Sequence, residues 1–143
     1  MLNEKSCGAV VYSKNNSEIL YLLLQYEAGH WDFVKGNVEE GENEQETTVR
    51  ELGEETGIVD ARFVEGFRER IAYYYKRQGT TVYKEVVFFL MEAKNTNVKL
   101  SFEHINFTWL PYKGTMEKLT FKNARAVLQK AQEFLTKQGI IKD

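Results

Sequence analysis

Runs of hydrophobic residues separated by short polar segments predict several β-strands. The run from residue 19 to 24 is apolar on both faces, which is typical of a strand buried on both sides. Residues 86–90 are β-branched and aromatic, which also suits an interior strand. Polar turn signals at residues 14–17 and 78–79 separate neighbouring runs. The predicted strands cover residues 6–12, 18–25, 65–75, 81–92 and 107–110.

Two segments have the pattern of helices. Glu44–Thr56 contains no proline and no β-branched run, and Gly57 stands where a left-handed residue would end a helix. Near the C-terminus, apolar residues recur every three or four positions, and Thr120 is a candidate N-cap. That stripe consists of Phe121, Ala124, Val127, Leu128, Ala131, Phe134 and Leu135. The pattern predicts an α/β (α+β) fold, a mixed sheet between helices in a three-layer single domain over residues 1–143.

Composition narrows the class of protein. The 143 residues are 43% hydrophobic and 28% charged, which is typical of one globular domain. Cys7 is the only cysteine, which excludes an intramolecular disulfide and a cysteine zinc cage and fits a cytoplasmic location. The net charge of -2 argues against an extended nucleic-acid partner. The apolar runs are too short to span a membrane, and we expect no signal peptide.

The predicted helix Glu44–Thr56 is unusually acidic on one face. Glu51, Glu54 and Glu55 stand at i, i+3 and i+4, so their carboxylates share that face and repel one another. They also lie in the last turn, where the helix dipole disfavours anions. A solvated acidic surface is the simpler interpretation. A hard divalent cation such as Mg²⁺ or Mn²⁺ would instead make the cluster favourable.

A cation accompanies this acidic segment. From residue 39 to 55 there are eight glutamates and only one cation, Arg50. Adjacent helical residues point about 100° apart, so a direct pair between Arg50 and Glu51 is not assured by the helix. Arg50 could instead hold a carboxylate of the preceding loop, such as Glu42, through its planar guanidinium.

The spacing of residues 36–58 resembles the Nudix box. That signature is a glycine, five residues, a glutamate, seven residues, Arg-Glu, an aliphatic residue, any residue, Glu-Glu, any residue, a glycine and an aliphatic residue. Nine constrained positions match without a gap, which makes the motif highly specific. They are Gly36, Glu42, Arg50, Glu51, Leu52, Glu54, Glu55, Gly57 and Ile58.

The resemblance implies a hydrolase that attacks phosphorus in a nucleoside diphosphate linked to another group. It implies that Mg²⁺, or Mn²⁺, is held by carboxylates and by the backbone carbonyl of Lys35. Glu42 would support the loop and helix, while either Glu51 or a carboxylate outside the box, best represented by Glu103, would activate water. The implied catalytic residues are Glu51, Glu54, Arg50 and Glu103, and the implied metal ligands are Glu51, Glu54, Glu55, Glu103 and Lys35.

Further segments resemble one branch of that family, the asymmetric diadenosine tetraphosphate hydrolases. The similar segments are residues 22–25, 30–31, 34–36, 65–71, 100–104, 107–110 and 119–122, so the resemblance covers nearly the whole chain. One departure is Val34, because relatives commonly have proline before Lys-Gly. Valine does not fix φ as proline does, which leaves the placement of the Lys35 carbonyl less constrained.

Several residues outside the box are candidates for substrate binding. His30, Lys35 and Lys84 could contact phosphates as cations or hydrogen-bond donors. Candidate stacking partners for a nucleobase are Tyr73, Tyr74, Tyr75, Tyr83 and Phe121. At most two of the residues at 73–75 can face one pocket, and Tyr75 and Phe121 are favoured. Each of these residues has the alternative interpretation of an ordinary surface or core side chain. Trp31 and Trp109 are interpreted as packing residues, and His104 as a loop residue.

The sequence therefore predicts a magnesium-dependent enzyme that splits diadenosine tetraphosphate into ATP and AMP. Its partner would be a dinucleoside polyphosphate or another nucleotide. One alternative is a pyrophosphohydrolase acting on nucleoside triphosphates or RNA 5′ ends. Another is a nucleotide-sensing module that binds without hydrolysis. The oligomeric state is left open.

Overall fold

The computed structural model describes residues 1–141, so the last two residues of the predicted domain lie outside the described residues. Eleven elements follow one another in these residues. They are β1 (Leu2–Asn15), β2 (Glu18–Tyr26), β3 (Trp31–Asp32), β4 (Val34–Asn37), α1 (Glu44–Thr56), β5 (Arg62–Phe63), β6 (Glu69–Arg77), β7 (Thr80–Ala93), β8 (His104–Leu110), α2 (Tyr112–Lys118) and α3 (Lys122–Lys137).

The eight strands form one mixed sheet with β1 near its centre. Strand β1 pairs in parallel with β7 and antiparallel with both β2 and β4. Strand β6 pairs antiparallel with β7, and β8 pairs antiparallel with β2. The short strand β4 thereby lies directly beside β1 and carries the chain toward α1.

Helices cover both faces of this sheet. On one face, residues of α3 such as Leu128 and Leu135 pack with strand residues such as Phe88 in the larger core. On the other face, Leu52 of α1 packs with strand residues such as Leu24. The predicted three-layer arrangement of a mixed sheet between helices is confirmed. Among residues 1–141, no helix is long and apolar enough to cross a membrane.

Several predicted boundaries differ from the structure. Strand β6 begins at Glu69 rather than residue 65, because Gly66 adopts a left-handed φ of 96° in a turn. Thr120 does not cap α3: the N-cap is Phe121, and the Thr120 hydroxyl accepts a hydrogen bond from the backbone N–H of Trp31 at 2.8 Å. The predicted loop residue His104 is instead the buried first residue of β8.

Candidate active site

Local capping fixes the helix that carries the acidic residues. At its start, Asn43 and Glu46 form a reciprocal capping box, each side chain accepting from the other's backbone N–H. At its end, Gly57 adopts the left-handed conformation with φ of 74°, and its N–H donates to the carbonyl of Gly53. The predicted helix Glu44–Thr56 and its glycine stop are confirmed.

Strand β4 brings a glycine against this helix. A Cβ atom placed on Gly36 would lie 1.9 Å from Cδ of Glu51. The carboxylate of Glu51 therefore occupies the space beside the backbone that any other residue at position 36 would fill. This close approach joins the strand and the helix at the carboxylate.

Arg50 ties the loop before the helix to two carboxylates of the helix. Its Nε donates to Oε2 of Glu42 at 2.6 Å, so the predicted pair with Glu42 is confirmed. Its Nη1 donates to Glu51 at 2.8 Å and to Glu54 at 2.7 Å, and its Nη2 donates to the carbonyl of Asn37 at 2.9 Å. The hydrogen bond from Arg50 lowers the pKa of Glu42 to about 2.

Glu55 is the buried member of the acidic group. Its side chain is 5% exposed, and its Oε1 has no hydrogen-bond partner among the described residues. The nearest nitrogen is Nε2 of His104 at 3.5 Å, which also lacks a partner there. Burial raises the pKa of Glu55 well above its usual range, and the neighbouring Glu51 carboxyl raises it further. Burial lowers the pKa of His104, which favours the neutral imidazole.

These groups border an acidic hollow of about 610 Å³. Its walls include Glu51, Glu55, Glu103 and Lys35. Within residues 1–141, however, no three acidic, histidine or cysteine side chains are gathered as metal ligands. The side chain of Glu54 is 59% exposed and turns toward Arg50 instead.

The residues present nevertheless fit a hard divalent cation. A buried carboxylate oxygen without a partner is costly unless a cation or donor satisfies it, and Glu55 offers such an oxygen. Carboxylate oxygens are the ligands that Mg²⁺ and Mn²⁺ prefer. The absence of a side chain at Gly36 leaves the Glu51 carboxylate beside the backbone of β4, next to the carbonyl of Lys35.

A second cavity, of about 330 Å³, lies on the other side of Lys35. Aromatic side chains predominate at its mouth: the ring centroids of His30 and Phe121 lie 5.4 Å apart, and Tyr73 lines the same space. Tyr75 does not line it, because the Tyr75 hydroxyl donates to Glu4 at 2.6 Å. Of the residues at 73–75, the structure therefore places Tyr73 in the cavity rather than the favoured Tyr75.

Of the two predicted lysines, Lys35 borders the two spaces and Lys84 lines neither of them. Lys35 lines both, and its ammonium lies 3.2 Å from Oδ2 of Asp32, a buried residue that the sequence analysis did not single out. Lys84 lies opposite Tyr73 across the β6–β7 pair, and its ammonium is 3.9 Å from Glu4. Burial lowers the pKa of Lys84, and the charge of Lys35 lowers it further.

Comparison with known proteins places this geometry in a family. The NUDIX domain model matches residues 3–131. The chain belongs to the Nudix family. The asymmetrical bis(5′-nucleosyl)-tetraphosphatase of Mus musculus is 36% identical over 92% of this chain and 95% of its own length. The protein of the same name from Caenorhabditis elegans is 32% identical over 92% of this chain and 96% of its own length.

The same likeness extends to a solved structure. A crystal structure of a C. elegans diadenosine tetraphosphate hydrolase in a binary complex superposes with a TM-score of 0.82. The two chains are 31% identical, and the match covers 92% of this chain and 97% of the C. elegans chain. The predicted family resemblance and fold are thus confirmed together.

Within this Nudix domain, the predicted residues form two groups. Glu51, Glu55, Glu103 and Lys35 border the acidic hollow, whereas His30, Lys35 and Phe121 border the aromatic cavity. Tyr75 lies outside both, and Arg50 acts on the box carboxylates from the helix surface. Sequence analysis missed Asp32, favoured Tyr75 over the candidate Tyr73 and gave little weight to His104. Alternation along the strand puts residues 73 and 75 on one face. It does not show which of the two reaches the cavity.

Proposed function

We propose that this protein is a magnesium-dependent hydrolase that splits diadenosine tetraphosphate into ATP and AMP. The names of its Nudix relatives support this substrate. One observation of the molecule carries the proposal: Lys35 borders both the aromatic cavity and the acidic hollow. A nucleoside seated in the cavity would therefore direct its phosphate chain past a cation into the carboxylates.

The nucleoside end would be held by aromatic surfaces. Tyr73 and Phe121 line the cavity, and stacking on an aromatic ring contributes about 1–3 kcal/mol per base. We therefore assign base stacking to Tyr73 and Phe121 rather than to Tyr75. His30 stands beside Phe121 and completes the aromatic wall.

The phosphate chain would meet donors in order along the path. Lys35 and Lys84 supply ammonium groups, whose charge attracts phosphate oxygens. Burial lowers the pKa of His30, and the Lys35 charge lowers it further. A neutral His30 can donate one ring N–H to a phosphate oxygen. Because the neutral ring carries no charge, it would not form an ion pair that retains the product.

We assign the metal to Glu51, Glu54, Glu55, Glu103 and the Lys35 carbonyl, with Mg²⁺ as the ion and Mn²⁺ as a substitute. Bound there, such a cation lowers the pKa of coordinated water and stabilises charge on phosphoryl oxygens. Arg50 orients the Glu51 carboxylate through the 2.8 Å hydrogen bond. Glu54 would have to leave Arg50 to take part.

The chemical step needs one base. The oxygen of water forms a bond to phosphorus, the bridging P–O bond breaks, and the water proton passes to a carboxylate. Glu51 and Glu103 are the two candidates for this base, since both border the hollow. The products are ATP and AMP, and the carboxylate returns the proton to solvent.

Product analysis tests this proposal. Purified protein, Mg²⁺ and diadenosine tetraphosphate should give equal amounts of ATP and AMP. Two ADP per substrate, or no turnover, would contradict the assignment. Nucleoside triphosphates and triphosphorylated RNA offered at equal concentration are the comparison substrates, and faster turnover of either would favour that alternative.

A single substitution separates an enzyme from a nucleotide sensor. Glu54→Gln should lower kcat by orders of magnitude while the thermal unfolding curve is retained. The matched control is Glu133→Gln, on the exposed surface of α3, which should behave as the wild type. Unchanged nucleotide binding together with undetectable wild-type turnover would instead indicate a sensor.

A further inference from the structure

Tyr26 ends strand β2 with its hydroxyl group turned toward the segment that leads into the Nudix box. The hydroxyl donates to the backbone carbonyl of Phe33 at 2.7 Å. The Tyr26 hydroxyl thus contacts the peptide group immediately before Val34.

Val34 directly follows the carbonyl that Tyr26 holds and directly precedes Lys35. A proline there would fix φ near −65°, whereas valine leaves φ free to vary. A hydrogen bond from a buried side chain can restrict the same backbone from outside. The Tyr26 hydroxyl is placed to supply that restraint, because it holds the carbonyl immediately before Val34.

The ring of Tyr26 contacts one residue from each of the two spaces of the site. It stacks on His30 of the aromatic cavity, with centroids 4.8 Å apart and planes 4° apart. It also packs edge-on against His104 at 4.6 Å, and His104 lies beside Glu55. The Lys35 ammonium lies 5.6 Å from the centre of the ring.

We infer that Tyr26 is a positioning residue that sets the backbone of residues 33–35, and hence the Lys35 carbonyl, for divalent-cation binding in this chain. The inference rests on the proposed function for the role of that carbonyl. Tyr26 acts through the peptide group before Val34, where no proline fixes φ. Its ring packs against His30 and His104 and holds both side chains in position beside that segment.

Tyr26→Phe is the direct test, because it keeps the ring contacts and removes only the hydroxyl. Tyr21→Phe is the matched control on the same strand, since the Tyr21 hydroxyl donates to Gln132 at 2.5 Å, away from the site. We expect Mn²⁺ affinity, measured by electron paramagnetic resonance without substrate, to fall about 10-fold in Tyr26→Phe alone. Its kcat should fall by a similar factor, with KM for the dinucleotide unchanged.

A rescue experiment separates positioning from general stability. Proline is tolerated at the first residue of a strand, and Val34 is the first residue of β4. The double variant Tyr26→Phe/Val34→Pro should regain Mn²⁺ affinity toward the wild-type value. If folded Tyr26→Phe binds Mn²⁺ as Tyr21→Phe does, or if the folded double variant shows no recovery, the inference is overturned.

These outcomes are distinguishable from failure of the proposed function. Mn²⁺ binding is measured without turnover, so it reports on Tyr26 whatever the substrate is. Product analysis of the wild-type protein tests the substrate without reference to Tyr26. If Tyr26→Phe does not fold, the double variant supplies the measurement, and loss of folding in both overturns a role confined to positioning.

Discussion

Gly36 and Glu51 meet so closely that a Cβ on the glycine would lie 1.9 Å from Cδ of the glutamate. Ordinary van der Waals contact begins at 3.4 Å, so the two positions cannot both carry side chains in this arrangement. The glycine that opens the Nudix box is therefore explained by the carboxylate fifteen residues later. The Glu51 carboxylate can keep this position only because residue 36 has no side chain.

Gly36→Ala should therefore displace the Glu51 carboxylate by more than 1 Å. A misplacement of that size costs about 100-fold in rate, so kcat should fall by at least that factor. The control is Gly53→Ala, in α1, where the nearest atom to an added Cβ lies 3.9 Å away. That variant should keep its activity and gain about 0.5–1 kcal/mol in stability through helix propensity. Near wild-type turnover by Gly36→Ala would contradict this account.

The sequence was sufficient to predict α1 and the layers because the signals for both are local. Asn43 and Gly57 cap the helix through neighbours within a few residues, and the apolar stripe of α3 is read directly from its spacing. The predicted start of β6 was wrong because Gly66 forms a turn, and the predicted cap of α3 was wrong because a tertiary contact engages Thr120. Thr120 accepts a hydrogen bond from the backbone of Trp31, far away in the chain.

The same reason explains which site residues could be predicted. Box glutamates were found because their spacing is fixed within one helix and one loop. Tyr26, Asp32 and Tyr73 lie on three different strands, and only the pairing of those strands brings them around Lys35. Tyr73 and Tyr75 alternate onto the same face of the strand, so the pattern does not distinguish them. Nothing local in the sequence shows that the Tyr75 hydroxyl donates to Glu4.

Arg50→Lys should impair the site more than removal of one ion pair would. A lysine ammonium cannot reproduce the planar set of donors that reaches Glu42, Glu51 and the carbonyl of Asn37 together. We expect kcat to fall about 10- to 100-fold and the melting temperature to drop. Arg62→Lys is the control, since Arg62 is 80% exposed and pairs only with Glu92 among the described residues. Equal effects of the two substitutions would show that Arg50 acts only through its charge.

The stability of the protein should depend on pH through Glu44. Hydrogen bonds from Arg68 and Lys5 lower the pKa of Glu44 from its ordinary value of 4.5 to about 2. The folded state thus favours the carboxylate, so this stabilisation is complete above pH 4.5 and is lost as pH falls toward 2. Urea midpoints of the wild type should exceed those of Glu44→Gln at pH 7, and the gap should close over that range. A gap that stays constant from pH 7 to pH 3 would refute the assignment.

The base-stacking assignment predicts a difference between tyrosines two positions apart. Tyr73→Ala should raise KM for diadenosine tetraphosphate about 10-fold, because it removes one aromatic wall of the cavity. Tyr75→Ala should leave KM unchanged, since Tyr75 does not line the cavity and its hydroxyl donates to Glu4. Tyr74→Ala is a further control, because that side chain is 64% exposed on the opposite face of β6. Steady-state kinetics decide the matter: a larger KM change in the Tyr75 variant than in the Tyr73 variant would return the stacking role to Tyr75.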